Sequence, residues 1–143
     1  MDYRLNKLIE SCGQEGKPPL NRLKMVSKGK YHQDEVKFLE PYLKDSPEHI
    51  QILILDILCL NGNPICNYVN ELGDGLSSKM VSEIIKLAEL QHDPFTILQL
   101  ANENKKNVHA AVIALKRMGE KDLLTGLMFS GNEELSHLIG EIQ

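Results

Sequence analysis

With 143 residues, the chain can bury about two thirds of its unfolded surface, so neither disulfides nor a metal is needed to explain folding. Hydrophobic residues make up 42% and aromatic residues 5%; Leu and Ile therefore dominate the core, which favours packed helices over a β-sandwich. The net charge is −4, the first residues lack the apolar core of a signal peptide, and no apolar run approaches the roughly 18 residues that cross a membrane. We expect a cytoplasmic protein with one domain, residues 1–143, and no membrane partner.

The first predicted helix covers residues 2–12, where apolar residues recur at helical spacing. A break rich in Gly and Pro follows, and a second, short helix is expected over residues 20–27. Residues 1–33 contain seven Lys or Arg and three Asp or Glu, whereas residues 34–143 contain nine and seventeen. We therefore interpret residues 1–33 as a basic N-terminal helical cap and the remainder as an acidic body.

The acidic body begins with a helical pattern at Asp34, in which Pro41 is expected to produce a kink. Ser46 is expected to cap the following helix, because its hydroxyl can accept from free backbone amides, and Pro47 suits the first helical position. This helix runs to about Leu60 and is apolar on most sides. Such a pattern is typical of a central helix that is covered on two sides.

Six further helices are predicted after a turn at residues 61–64, each from apolar residues at helical spacing between turn residues. Either Ser77 or Ser78 is expected to cap the second of them. No segment alternates between apolar and polar residues with a period of two, so we predict no sheet. The six helices are expected over residues 65–72, 77–90, 95–101, 107–118, 122–129 and 133–142.

The longer predicted helices end in turns of similar composition, which recur at Pro64, Pro94 and Lys121, at intervals of 30 and 27 residues. A period in this range with two helices per unit is typical of a solenoid. One helical hairpin cannot bury both of its faces, so it stacks on the next hairpin. The sequence therefore predicts stacked helical hairpins.

The repeated segments resemble HEAT repeats, both in the turn into the second helix of a hairpin and in the end of that helix. The resemblance covers roughly residues 35–143 and implies a right-handed α-solenoid of about four HEAT-like hairpins. The Arg that HEAT repeats usually carry in the second helix is absent, so their ladder of Asp–Arg pairs is in question. The segments that carry the resemblance are residues 43–50, 57–64, 87–94 and 108–119.

The sequence contains no catalytic constellation. It lacks a phosphate-binding glycine loop and a His-Glu-x-x-His motif, and its five His and three Cys residues show no ligand spacing. We therefore expect no enzyme activity, no catalytic residue, no metal and no cofactor. The Lys and Arg residues between positions 17 and 30 lack interleaved aromatic residues, and the acidic body argues against nucleic acid as a direct partner.

A binding surface is the remaining possibility, because the second helices of solenoid hairpins line a concave face. These helices are expected over residues 47–60, 77–90 and 107–118. Their polar residues are candidate contacts, and Ile52 and Leu55 would form an apolar centre where the first helix is uncovered. The candidate partner-binding residues are Glu48, Gln51, Ile52, Leu55, Asp56, Glu83, Lys86, Glu89 and His109.

Small acidic HEAT-like proteins of this size resemble the immunity proteins of bacterial toxin systems, including those of contact-dependent growth inhibition. The resemblance implies a protein, monomeric when free, that neutralises a cognate toxin domain in a tight stoichiometric complex. Many such toxins are basic nucleases, and an acidic surface would complement them and speed association. Two alternatives stand beside this hypothesis: a general adaptor or scaffold, and a protein similar to the HEAT-like lyases that attach bilins, which would need a deep pocket.

Overall fold

A computed structural model describes residues 2–73 and 75–128, and these residues form α-helices and short 3₁₀ helices without any strand. The predicted all-α class is therefore confirmed for this part of the chain. The chain divides into two compact units, Met1–Gly75 and Leu76–Gln143. Among the described residues, no helix combines the length and apolar character needed to span a membrane. The helix predicted over residues 133–142 lies outside the described residues.

The described part of the first unit contains five α-helices and two 3₁₀ helices. The helices are α1 (Tyr3–Glu15), α2 (Leu20–Val26), α3 (Gln33–Val36), α4 (Glu48–Leu60) and α5 (Cys66–Val69), with 3₁₀ helices at Lys37–Tyr42 and Asn70–Leu72. α1 packs against α2, and α4 packs against both α2 and α3. Leu5 and Leu8 of α1, Leu23 of α2, and Ile54 and Leu58 of α4 are fully buried and form the core of this unit.

Pro41 changes the type of helix in which it lies. The α-helix that begins at Gln33 ends at Val36, and the chain continues as a 3₁₀ helix that contains Pro41. Proline has no N–H to donate, and in an α-helix its ring would clash with the carbonyl group of Lys37, four residues earlier. Instead of the predicted kink at Pro41, the structure has a change from an α-helix to a 3₁₀ helix, which begins at Lys37.

The prediction that Ser46 caps α4 is wrong. The Ser46 hydroxyl donates a hydrogen bond of 2.5 Å to the carbonyl oxygen of Tyr42, and Pro47 occupies the N-cap position without a side-chain hydrogen bond. A serine hydroxyl often bonds to the carbonyl four residues earlier, and this interaction competes with capping. Ser46 thus bonds to the last residue of the preceding 3₁₀ helix and not to α4.

The second unit contains four α-helices and one 3₁₀ helix among its described residues. They are α6 (Ser78–Leu90), α7 (Pro94–Glu103), α8 (Val108–Arg117) and α9 (Lys121–Met128), with a 3₁₀ helix at Lys105–Asn107. α7 packs against both α6 and α8, which also pack against each other, and α9 packs against α8. Ser77 is the N-cap of α6, because its side chain accepts a hydrogen bond of 3.1 Å from the backbone amide of Met80.

The same type of helix end recurs after α4, α6 and α8. Gly62, His92 and Gly119 have positive φ values of 103°, 54° and 74°. In each turn, the next residue donates its backbone N–H to the carbonyl oxygen five residues earlier, at 2.8–3.0 Å, which is the long hydrogen bond of a Schellman motif. The three turns follow each other at 30 and 27 residues, the same intervals as the turns predicted from the sequence.

Candidate protein-binding surfaces

One side of α4 is apolar and partly exposed. Ile52 and Leu53 are half-buried, and Leu60, at the end of the helix, is 57% exposed. Leu53, Asp56 and Leu60 follow each other at intervals of three and four residues, so they lie on one side of the helix, with Ile52 beside them. Together with Glu48 in the first turn, these residues define the α4 face.

The α4 face lies in the most acidic segment of the chain. Residues 34–75 contain eight Asp or Glu and two Lys or Arg, a net charge of −6, whereas residues 76–143 contain nine Asp or Glu and seven Lys or Arg, a net charge of −2. Glu48 is exposed and Asp56 is half-buried, so carboxylates lie beside the apolar side chains of this face. The acidic character expected for the body, residues 34–143, is therefore concentrated in residues 34–75. An apolar surface with carboxylates at its edge is suited to a basic partner.

Two predicted contact residues of α4 are used inside the fold. Leu55 has no exposed surface and belongs to the core, so its assignment to an apolar interface centre is wrong. Gln51 is half-buried, and its Nε2 donates a hydrogen bond of 2.9 Å to the carbonyl oxygen of Leu43. This bond ties the segment before α4 to the helix. Of the predicted α4 residues, Glu48, Ile52 and Asp56 remain on the α4 face.

The second surface is a groove between α6 and α8. The groove encloses about 300 Å³, and the buried Ile85 and half-buried Ile113 form its apolar floor. Ser82 and Ala110 leave space above this floor because their side chains are small. We refer to this cavity as the α6–α8 groove; its lining residues are Ser82, Ile85, Lys86, Glu89, Ala110, Ile113 and Arg117.

Charged side chains form the edge of the α6–α8 groove. Arg117 of α8 makes an ion pair with Glu89 of α6, and Lys86 makes one of 3.0 Å with Glu83, three residues earlier on α6. The two basic side chains are 61% and 51% exposed, whereas those of Glu89 and Glu83 are 25% and 10% exposed. In both ion pairs, the basic side chain is therefore more exposed than the carboxylate with which it pairs.

Of the predicted residues of the second unit, Lys86 and Glu89 line this groove, and Glu83 is connected to it only through its ion pair with Lys86. His109 is exposed on α8 but does not line the groove. Arg117 was missed because it pairs with a residue 28 positions away, and no local pattern indicates such a pair. Leu53 and Leu60 were missed because a helix that is apolar on most sides does not show which side stays exposed.

The described residues contain no group of His, Cys, Asp and Glu that could hold a metal ion. Burial raises the pKa of the Cys12 thiol to about 11, with a smaller contribution from the charge of Glu15. Burial also raises the pKa of Tyr68 well above its usual value, and the nearby Glu40 adds to the effect. Both shifts favour the neutral, unreactive form of the group.

The two surfaces differ in charge and in shape. The α4 face is one side of a single helix and has carboxylates beside its apolar residues, whereas the α6–α8 groove is concave and has exposed basic groups at its edge. Apolar surfaces with charged residues at their edge are typical of protein interfaces. No family model, curated protein or solved structure matches the chain in the comparisons, so the functional interpretation depends on these two surfaces.

Proposed function

We propose that this chain is a protein-binding immunity protein, which neutralises a cognate bacterial toxin domain by forming a tight stoichiometric complex. The observation that carries the proposal is the α4 face, where apolar side chains remain exposed beside carboxylates in a segment with a net charge of −6. A partner with a basic surface, such as a nuclease domain, is complementary to this face. The protein acts by covering its partner and not by catalysis.

Apolar side chains supply the binding energy in this proposal. Leu60 is the most exposed apolar residue of α4, and Leu53 and Ile52 extend its surface along the helix. Binding energy in protein interfaces is concentrated in a few apolar or aromatic anchors that become dry when the partner docks. Leu60 and Leu53 are therefore the expected anchors.

The carboxylates determine which partner is bound and how fast it associates. Glu48 and Asp56 flank the apolar residues, and complementary charges steer encounter and raise the association rate above that of neutral pairs. The effect is screened by salt, with a Debye length of about 8 Å at physiological ionic strength. Association is therefore expected to slow as the salt concentration increases.

The proposed architecture is a right-handed α-solenoid of about four HEAT-like hairpins. The repeated Schellman motifs after α4, α6 and α8 support it, because equivalent helix ends at a regular interval are what stacked hairpins require. A crystal structure of the chain tests this architecture. Helices that pack around a common centre, without a repeated hairpin, would contradict it.

The proposed function is tested by coexpression with a toxin domain. When a gene beside this chain encodes a secreted protein, the C-terminal domain of that protein is expected to stop growth when expressed alone and to be tolerated when this chain is present. The double variant Glu48→Lys with Leu60→Asp is expected to weaken the complex by at least about a hundredfold, since one charge and one anchor are lost. Isothermal titration calorimetry measures the stoichiometry and the affinity.

The matched control is the double variant Glu15→Lys with Met25→Asp. Both residues are exposed in the first unit, on α1 and α2, and they make the same changes of charge and polarity outside the α4 face. This control is expected to retain full protection and affinity. The proposal fails if the wild-type chain does not protect against the toxin domain, or if the α4 variant protects as well as the control. Binding of several unrelated proteins with similar affinity would favour an adaptor instead.

A further inference from the structure

The α6–α8 groove extends beyond the cavity described above. A second cavity of about 150 Å³ adjoins it and shares Ser82 and Ala110 with the first. Because both shared side chains are small, no large group separates the two cavities. The second cavity reaches Lys106, in the 3₁₀ helix before α8, so the combined groove follows α6 over most of its length. A helix of 13 residues such as α6 is about 20 Å long.

The floor of the combined groove is apolar and its exposed edge is basic. Val81 and Ile85 of α6 are buried beneath it. Exposed basic residues, Lys106 at one end and Lys86 and Arg117 at the other, line its edge. The groove therefore offers apolar contact along its centre and exposed basic side chains at both ends, of which Lys86 and Arg117 also pair with carboxylates.

Arg117 is prepared to receive a further carboxylate. Its Nη2 donates to Glu89 across the groove, which fixes the position of the guanidinium group. A guanidinium group has five N–H donors in a planar arrangement, so one bond to Glu89 leaves donors that can face a ligand. The side chain is 61% exposed, and those donors are accessible from solvent. Glu89 thus acts as a positioning residue for Arg117.

We propose that the combined α6–α8 groove binds an amphipathic helix of a partner protein whose edges carry acidic residues. The apolar side of that helix contacts Val81, Ile85 and the small side chains between α6 and α8, and its carboxylates reach Lys86, Lys106 and Arg117. Charge complementarity selects this occupant, because the most exposed charged side chains of the groove are basic. Docking of an amphipathic helix in an apolar groove is a common mode of recognition. The inference concerns the second unit and does not depend on the proposed function of the α4 face.

Binding of two synthetic helices to the full chain tests the proposal. One labelled peptide of about 14 residues, long enough to follow α6, has Leu along one side and Glu on both flanks, and the other has Lys in place of every Glu. Fluorescence anisotropy measures both affinities at two salt concentrations. The acidic peptide is expected to bind at least about tenfold more tightly than the basic one, with the difference reduced at high salt.

Two variants identify the groove as the binding site. Lys86→Glu with Arg117→Glu reverses the charge at one end and is expected to reduce the affinity for the acidic peptide by at least about tenfold. Ser82→Phe fills the middle of the groove without a change of charge, and is expected to weaken both peptides if they bind there. The matched control is Lys24→Glu with Lys28→Glu, which makes the same change of charge at exposed positions of the first unit.

Several results would overturn the proposal. Equal affinity for the two peptides, a preference for the basic peptide, or no measurable binding of the acidic peptide at millimolar concentration would exclude an acidic helix as the occupant. An equal loss of affinity in the Lys24 and Lys28 control would indicate attraction to net charge alone. Self-association of the chain that Ser82→Phe abolishes would assign the groove to a second copy of the protein.

Discussion

Truncation of Leu55 to Ala distinguishes a core residue from a binding residue on the same helix. Leu55 has no exposed surface, whereas Leu60, five residues later on α4, is 57% exposed. Leu55→Ala removes buried methyl groups and leaves a cavity, whereas Leu60→Ala removes groups that are already mostly in contact with water. The two variants change the same number of atoms in the same helix, so their difference reports burial directly.

The expected magnitudes follow from the exposure of each side chain. A fully buried Leu replaced by Ala costs about 3–5 kcal/mol, the sum of the lost transfer energy and the cavity. Complete burial of a Leu side chain contributes about 1.5–3 kcal/mol, so Leu60, which buries less than half of its surface, is expected to cost at most about 1 kcal/mol. With an m value of about 1.5 kcal/mol/M, the two urea midpoints are expected to differ by roughly 2 M.

The tyrosines of the chain provide a specific assay. All four, at positions 3, 31, 42 and 68, lie in the first unit, and the chain contains no Trp. Tyrosine fluorescence during urea unfolding therefore reports the unit that contains α4, and far-UV circular dichroism reports the whole chain. The reasoning is refuted if Leu55→Ala shifts the fluorescence midpoint no more than Leu60→Ala. It is also refuted if Leu55→Ala weakens partner binding at temperatures where the protein is folded.

Three further predictions concern local structure and reactivity. Ser77→Ala removes the side-chain cap of α6 and is expected to lower the free energy of unfolding by about 1 kcal/mol, as measured by urea unfolding. The control Ser78→Ala, one residue later, is expected to change this free energy by less than about 0.5 kcal/mol. His92→Gly is expected to stabilise the protein by about 0.5–1 kcal/mol in thermal unfolding. The reason is that His92 has a positive φ of 54°, at a position where the other two Schellman turns have Gly. Destabilisation would show that the His92 side chain contributes more to stability than its backbone strain costs. At pH 8, Ellman's reagent is expected to modify the exposed Cys66 rapidly. Cys12 is expected to react only after denaturant is added, because it is buried and its pKa of about 11 leaves only about 0.1% of it as thiolate. Rapid modification of more than one thiol would contradict the burial of Cys12 and Cys59.

Helix positions and helix ends were predictable because they depend on residues that are close in the chain. Pro41, Gly62 and Gly119 each act on the backbone within about one turn, through a missing N–H or a permitted positive φ. The recurrence of similar turns could therefore be predicted from the sequence alone. Ser46 shows the limit of this reasoning, because its hydroxyl had two local backbone partners and bonded to Tyr42.

The exposed surfaces were not predictable in the same way, because burial depends on helices that are distant in the chain. α4 is apolar on most of its sides, and its packing against α2 and α3 makes Leu55 part of the core while Leu60 stays exposed. The ion pair between Glu89 and Arg117 likewise joins residues 28 positions apart, which only the packing of α6 against α8 brings together. Local sterics and hydrogen bonding thus determine where each helix begins and ends, whereas the contacts between helices determine which side chains remain available to a partner.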